Sequence, residues 1–111
     1  MSKYNNFLNA LRAINGERYK AWAQGTGDDP LYASNEFAGE AGEVCNIVKK
    51  LVREERGWVG SRSDKDALAE EIADVIICVD TIARMYDINI EEAVTKKFNK
   101  TSDANGFVHK L

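Results

Sequence analysis

The stretch "GEAGEVCNIVKKL", residues 39–51, has a helical period and sets acids where an amphipathic helix normally lays down apolar side chains. Val44, Ile47, Val48 and Leu51 recur three and four apart, the spacing of one helix face. At roughly 100° per residue, Val44, Ile47 and Leu51 all fall within about 40° of Glu40, so the acid sits inside the apolar stripe. Glu43 and Glu36 fall at its edge, about 60° and 40° away. The stretch "EEIADVIICVD", residues 70–80, repeats the pattern. There Ile72, Val75, Val79 and Tyr86 cluster within about 40° of Leu68, with Glu71 about 60° to one side and Asp74 about 120°. Glu70 points away, towards solvent.

Outward from these two segments, helix formers dominate and no strand-like alternation persists. The first helix is expected over about 2–23, with Tyr4, Phe7, Leu8, Leu11, Ile14, Tyr19 and Trp22 on one face, Arg18 interrupting it and Gly16 weakening it. "AQGTGDD" breaks that helix. The second is expected over about 30–56, with Asp29 as N-cap, Pro30 in the first turn and Gly57 as the stop. Ser63, with Asp66 three residues on, is expected to cap a third helix over about 63–86. The fourth, over about 89–101, starts after Asn89. Four helices with short joints predict an all-α, four-helix antiparallel bundle-like domain.

A length of 111 residues suits a single domain spanning 1–111, and is short enough that a partner subunit would help it bury a core. The net charge of −3 comes with no basic stripe, which argues against a nucleic acid polymer as partner. No apolar run is long enough to span a membrane. The first twenty residues lack a basic segment followed by an apolar one, so no signal peptide is expected and the chain reads as cytoplasmic. Cys45 and Cys78 lie in apolar helical stretches and read as buried, reduced cysteines. The one histidine, His109, is near the C-terminal end, which argues against cysteine catalysis and against a di-iron bundle built on Glu-x-x-His.

If the second and third helices pack together, four carboxylates converge, and uncompensated their desolvation costs several kcal/mol. Two arrangements relieve this. The carboxylates are protonated, or a hard divalent cation sits among them; Mg²⁺ and Mn²⁺ prefer such oxygen ligands. A single acid beside an apolar stripe ordinarily forms its solvated border. Two pairs at matched spacing on consecutive helices point beyond that.

The double pattern resembles the signature of the MazG-like all-α nucleoside triphosphate pyrophosphohydrolases, an ExxE motif on one helix and ExxD on the next. Here they read Glu40-Ala-Gly-Glu43 and Glu71-Ile-Ala-Asp74, flanked by "GEAGEV" and "LAEEIADVIICV". "AVTKKFNKTS" resembles the family's last helix. One position departs: the family often has adjacent glutamates at the first motif, where this chain has Gly39, and Glu36 one turn earlier could supply the extra acid.

The resemblance implies Mg²⁺-dependent hydrolysis of a (deoxy)nucleoside triphosphate between the α and β phosphates, with Mn²⁺ as a possible substitute, in nucleotide-pool house-cleaning. It implies Glu40, Glu43, Glu71 and Asp74 as metal ligands and Glu40 or Glu43 as the general base. Lys50 falls close to Glu43 on its helix and is a candidate for the phosphates; Lys97 and Asn99 are carried over from the resemblance for the same role. Phe37, Trp22 and Trp58 are candidates for the nucleobase, although Trp22 and Phe37 also suit core packing and Trp58 a subunit interface. A homodimer or a dimer of dimers is implied, completing the bundle. The alternative is a non-catalytic helical adaptor or nucleotide-binding protein, in which the acids set specificity alone.

Overall fold

A computed structural model describes residues 6–111, and the fold is all-α as expected. The four helices are α1 (Phe7–Ala23), α2 (Pro30–Glu55), α3 (Lys65–Met85) and α4 (Ile90–Ala104). The start expected for α1 at residues 2–5, Tyr4 included, lies outside the described residues.

Each start has a side-chain cap that takes an otherwise orphaned amide. Asn6 accepts from Asn9, Asp29 from Leu31 and Tyr32, and Asn89 from Glu92. At α3 the cap is Asp64, which accepts from the Ala67 amide, so the helix begins one step later than a Ser63 cap would place it. α4 runs on to Ala104, past the expected end at 101. Gly57 stops α2 with a positive φ of 68°. Beyond it the guanidinium of Arg53 donates to the Ser61 carbonyl at 2.8 Å and gathers the α2–α3 joint.

α2 and α3 form a long hairpin. Glu36 faces Cys78 while Glu40 faces Glu71, so the helices run antiparallel. α1 packs on another side of α3 through a buried polar lock. Asp80, 1% exposed, accepts from Arg12 Nε at 2.9 Å and from Asn15 Nδ2 at 3.0 Å. Asn15 Nδ2 also reaches the Thr81 hydroxyl at 3.0 Å, and Arg12 Nη2 donates to the Ile88 carbonyl at 2.7 Å. α3 is thus the central helix, covered by α2 and by α1.

α4 stands away from this body, making little contact with α1–α3 among the described residues. The radius of gyration is 17.4 Å, against about 13 Å for a compact chain of this length. Among the described residues only Ala33, Ile47 and Ala83 are buried apolar residues, while Phe7, Ile14, Val48, Ile72, Ile76 and Phe98 remain open to solvent. Trp22 is therefore not in the core: it is 70% exposed, with the Arg18 guanidinium 4.7 Å above its ring. Nor are the cysteines buried as expected. Cys45 is exposed and Cys78 half-buried; both are free thiols. The helix faces were read correctly as apolar, but one chain does not supply enough partner surface to cover them.

Candidate functional site

The antiparallel register of α2 and α3 brings acids from the two motifs together. Oxygens of Glu40, Glu71 and Asp74 all lie within 4.8 Å of one another, a spacing one cation can bridge. Glu40 and Glu71 are half-buried and Asp74 is exposed. Glu43 lies outside this trio and is exposed.

The Glu71 carboxyl is pushed above its ordinary value. Partial burial is the main cause, followed by Glu40 within hydrogen-bonding reach and the charges of Glu40, Asp74 and Glu43. Every charge named there is negative, so the cluster favours whatever brings positive charge to it. Cys78 borders the same cluster. Burial first, then Glu36, Glu40 and Asp74, raise its thiol above the usual range, which keeps it protonated and unsuited to nucleophilic attack.

A pocket of about 520 Å³ opens beside the acids. Glu36, one turn before Glu40, and Cys78, one turn after Asp74, form the wall nearest the cluster. Asn15, Tyr19, Trp22, Tyr32, Ala33 and Thr81 line the rest. The α1–α2 joint closes one end with Thr26 and Gly27, and is tied to α3 by a two-pronged ion pair in which Arg84 donates to Asp28 at 2.9 and 3.1 Å. The lowered pKa of Asp28 reflects this pairing, its hydrogen bond with Arg84 being the largest cause.

The other expected residues fall in different places. Of the three aromatic candidates, Trp22 lines the pocket, while Phe37 and Trp58 do not. Trp58 lies under the Arg56 guanidinium, 5.0 Å from its ring centre. Lys50 is half-buried on α2 and forms no ion pair among the described residues. Lys97 is on α4, where it borders an apolar groove with Phe98, Phe107 and His109. Asn99 holds the end of the chain: its Oδ1 accepts from the Leu111 amide at 2.8 Å and its Nδ2 donates to the Leu111 carbonyl at 3.2 Å. Within one chain neither Lys97 nor Asn99 belongs to the carboxylate trio or lines the adjoining pocket. The sequence places Tyr19 only on the apolar face of the first helix and does not single out Asn15 or Tyr32; Tyr19 and Tyr32 lie in the turns on either side of the "GTGDDP" joint, whereas Asn15 lies mid-α1 and carries no local signal.

An all-α chain with acids converging from ExxE and ExxD on consecutive helices defines a narrow class of protein. Comparison with protein-family models matches residues 30–105 to the MazG nucleotide pyrophosphohydrolase domain, and the chain belongs to that family. It is similar to the Gene 37 protein of Mycobacterium phage L5, with 32% identity over 69 residues, 62% of this chain. The matched segment spans 60% of the phage protein's length. No solved structure matches the chain.

Proposed function

We propose that this chain hydrolyses nucleoside triphosphates between the α and β phosphates, releasing a monophosphate and pyrophosphate, with Mg²⁺ or Mn²⁺ as cofactor. The observation that carries this reading is the approach of Glu40, Glu71 and Asp74 within 4.8 Å, in a chain whose family acts on nucleotides. The donor set fits a hard cation: it is all carboxylate oxygen, and Glu71 already bears the electrostatic strain of its neighbours.

Glu40, Glu71 and Asp74 would hold the metal, with Glu43 close enough for its charge to act on Glu71. Bound there, the metal supplies charge neutralisation for the phosphates and for the negative charge developing in the transition state. Glu43, exposed and outside the trio, is the better placed of the two base candidates: it is free to accept a proton from the attacking water. Glu40 is committed to the trio. The pocket beside Glu36 and Cys78 takes the nucleoside, with Trp22 against the base. Lys50 sits on the same helix as Glu40 and Glu43 and would serve the phosphates.

The standing-off of α4 and the exposed apolar faces support pairing of two copies, as a homodimer or a dimer of dimers. In such an assembly Lys97 and Asn99 could reach a partner's phosphates. The whole chain, 1–111, would then act as one cytoplasmic unit in nucleotide-pool house-cleaning. No helix among the described residues is long and apolar enough to cross a membrane.

The test is pyrophosphate release across a panel of ribo- and deoxyribonucleoside triphosphates with Mg²⁺ or Mn²⁺, comparing the wild type with Glu43→Gln and Asp74→Asn. Turnover lost in both variants supports the reading. No turnover on any triphosphate removes the enzyme and leaves a nucleotide-binding or adaptor protein.

A further inference from the structure

The pocket beside the carboxylates has a chemically one-sided floor. Its buried polar side chains are Asn15 and Thr81, 5% and 8% exposed. The orientation of the Asn15 amide follows from its partners. Its nitrogen faces the Asp80 carboxylate at 3.0 Å and the Ile77 carbonyl at 3.3 Å, and both are acceptors without hydrogen to give. The NH₂ group must therefore point at them. That leaves Asn15 Oδ1 as the free end, and no hydrogen bond reaches it among the described residues. The Thr81 hydroxyl gives its hydrogen to the Ile77 carbonyl at 3.2 Å and accepts from Asn15 Nδ2 at 3.0 Å, so its bonds are spent inside the lock and Asn15 Oδ1 is the acceptor left to the pocket.

With its nitrogen engaged inside the lock and no protein donor on its oxygen, Asn15 offers the pocket an accessible acceptor that a ligand N–H can pair with. Above this floor stand Tyr19 and Trp22, with Tyr32 at the edge, flat apolar surfaces that suit a stacked ring. The two features together describe a site for a planar heterocycle whose inner edge donates.

We propose that Asn15 Oδ1 reads the exocyclic amino group of the nucleobase, so that the site prefers 4-aminopyrimidine and 6-aminopurine nucleotides over their oxo counterparts. This rests on the nucleotide reading given above and narrows its substrate. An amino group turns N–H towards Asn15 Oδ1. An oxo group at the same ring position turns a lone pair towards it, which loses the hydrogen bond and adds repulsion between two acceptors. Asn15 is held for this role by Asp80, which fixes the carboxamide so that it cannot flip to offer its nitrogen. Discrimination is thereby built into the lock between α1 and α3.

The experiment is calorimetric titration of the full-length protein in Mg²⁺ with the uncleavable α,β-imido analogues of dCTP and dUTP, and in parallel those of dATP and dITP. The wild type should bind the amino member of each pair about tenfold tighter or more. The analogue carrying 2-pyrimidinone, with only hydrogen at C4, should bind about tenfold more weakly than that of dCTP, and this arm needs no change in the protein. In Asn15→Ser the amino-to-oxo ratio should fall towards unity; a purely structural role would weaken both ligands and leave the ratio intact. Equal affinities within twofold, a preference for the oxo bases, a ratio that survives Asn15→Ser, or no binding of any analogue would each overturn the inference. If the protein hydrolyses triphosphates with no amino preference, the base reading fails while the proposed activity stands. If it binds with the amino preference yet cleaves nothing, the activity fails and the pocket stands.

Discussion

Arg84 of α3 passes directly over Gly16 of α1: a methyl group at position 16 would lie 3.2 Å from Arg84 Cδ. The glycine that weakens α1 as an isolated helix lets Arg84 cross it, reach the Tyr19 ring at 5.3 Å and fork onto Asp28. Gly39 of α2 is the opposite case, since a side chain there meets open space. Gly16→Val should therefore destabilise the protein by about 1–3 kcal/mol, through overpacking against a pinned side chain. Gly39→Ala should stabilise it by about 0.5–1 kcal/mol, through helix propensity alone. Urea denaturation of the two variants beside the wild type measures both, and a common sign would show that local packing does not separate these glycines.

The Arg12–Asp80–Asn15 lock is the second structural test. Asp80→Ala leaves the Arg12 guanidinium and the Asn15 amide without their shared acceptor in a nearly sealed position. Arg12 is half-buried and keeps the Ile88 carbonyl, so the loss is that of a charged hydrogen bond with a second one to Asn15, about 1.5–3 kcal/mol, a large part of the stability of a domain this size. The urea midpoint should drop accordingly. A shift under about 1 kcal/mol would mean that α1 is held to α3 by its apolar contacts and not by this network.

The acidic trio predicts a linked dependence on pH and metal. Glu71 is raised above its usual 4.5, so the folded state holds this proton more tightly than the unfolded chain does. Its contribution to stability is fully present below 4.5 and is lost as pH rises through the raised folded value, after which it stays constant. A divalent cation should reverse that loss. The melting temperature should rise with Mn²⁺ or Mg²⁺ near pH 7.5, and the increment should shrink as pH falls through the folded pKa of Glu71, where protons compete for the ligand. Glu71→Gln should melt higher than the wild type without metal and gain little when it is added. Melting curves over pH 4–8 with and without Mn²⁺ decide it. Asp28 works in the other direction: its lowered carboxyl contributes stability above 3.8 that is lost as pH falls through the folded value. With Asp28 itself about half exposed and screened by solvent, the pair with Arg84 is worth about 1 kcal/mol.

Much of this arrangement could be read from the order of residues, for identifiable reasons. The helices announce themselves through apolar period and through caps such as Asp29 and Asn89, which are local signals. The approach of Glu40, Glu71 and Asp74 was legible because acids beside the facing stripes of two packed helices are brought together, although Glu43, the fourth acid expected to converge, lies outside the trio. Asp80 was not. On a helical wheel centred on Leu68 it falls about 120° from the apolar stripe, where a single buried face predicts solvent. α3, however, is covered on two sides, and the second cover is α1, whose Arg12 and Asn15 neutralise and orient the acid. That complementarity joins residues far apart in sequence, and periodicity within one helix does not carry it. The burial expected for Trp22 failed for a related reason: its apolar face is real, but no other helix among the described residues covers it.

Trp22 gives the remaining prediction, because its exposure separates binding from folding. A core tryptophan cut to alanine costs about 3–5 kcal/mol of stability. At 70% exposure, Trp22→Ala gives up little burial and a cation–π contact with Arg18 worth about 0.5–1 kcal/mol, so the urea midpoint should barely move. If its ring stacks against the nucleobase, the same substitution should weaken nucleotide binding by about 1–3 kcal/mol, roughly fivefold to more than a hundredfold. Trp58→Ala is the control: that ring lies under Arg56 in the α2–α3 joint and does not line the pocket, so nucleotide affinity should stay within about twofold of wild type. Quenching of tryptophan fluorescence by added nucleotide reads the same relationship directly, and the quench should persist in Trp58→Ala and vanish in Trp22→Ala. If it instead vanishes in Trp58→Ala, the base lies at the α2–α3 joint and the pocket under α1 is not its site.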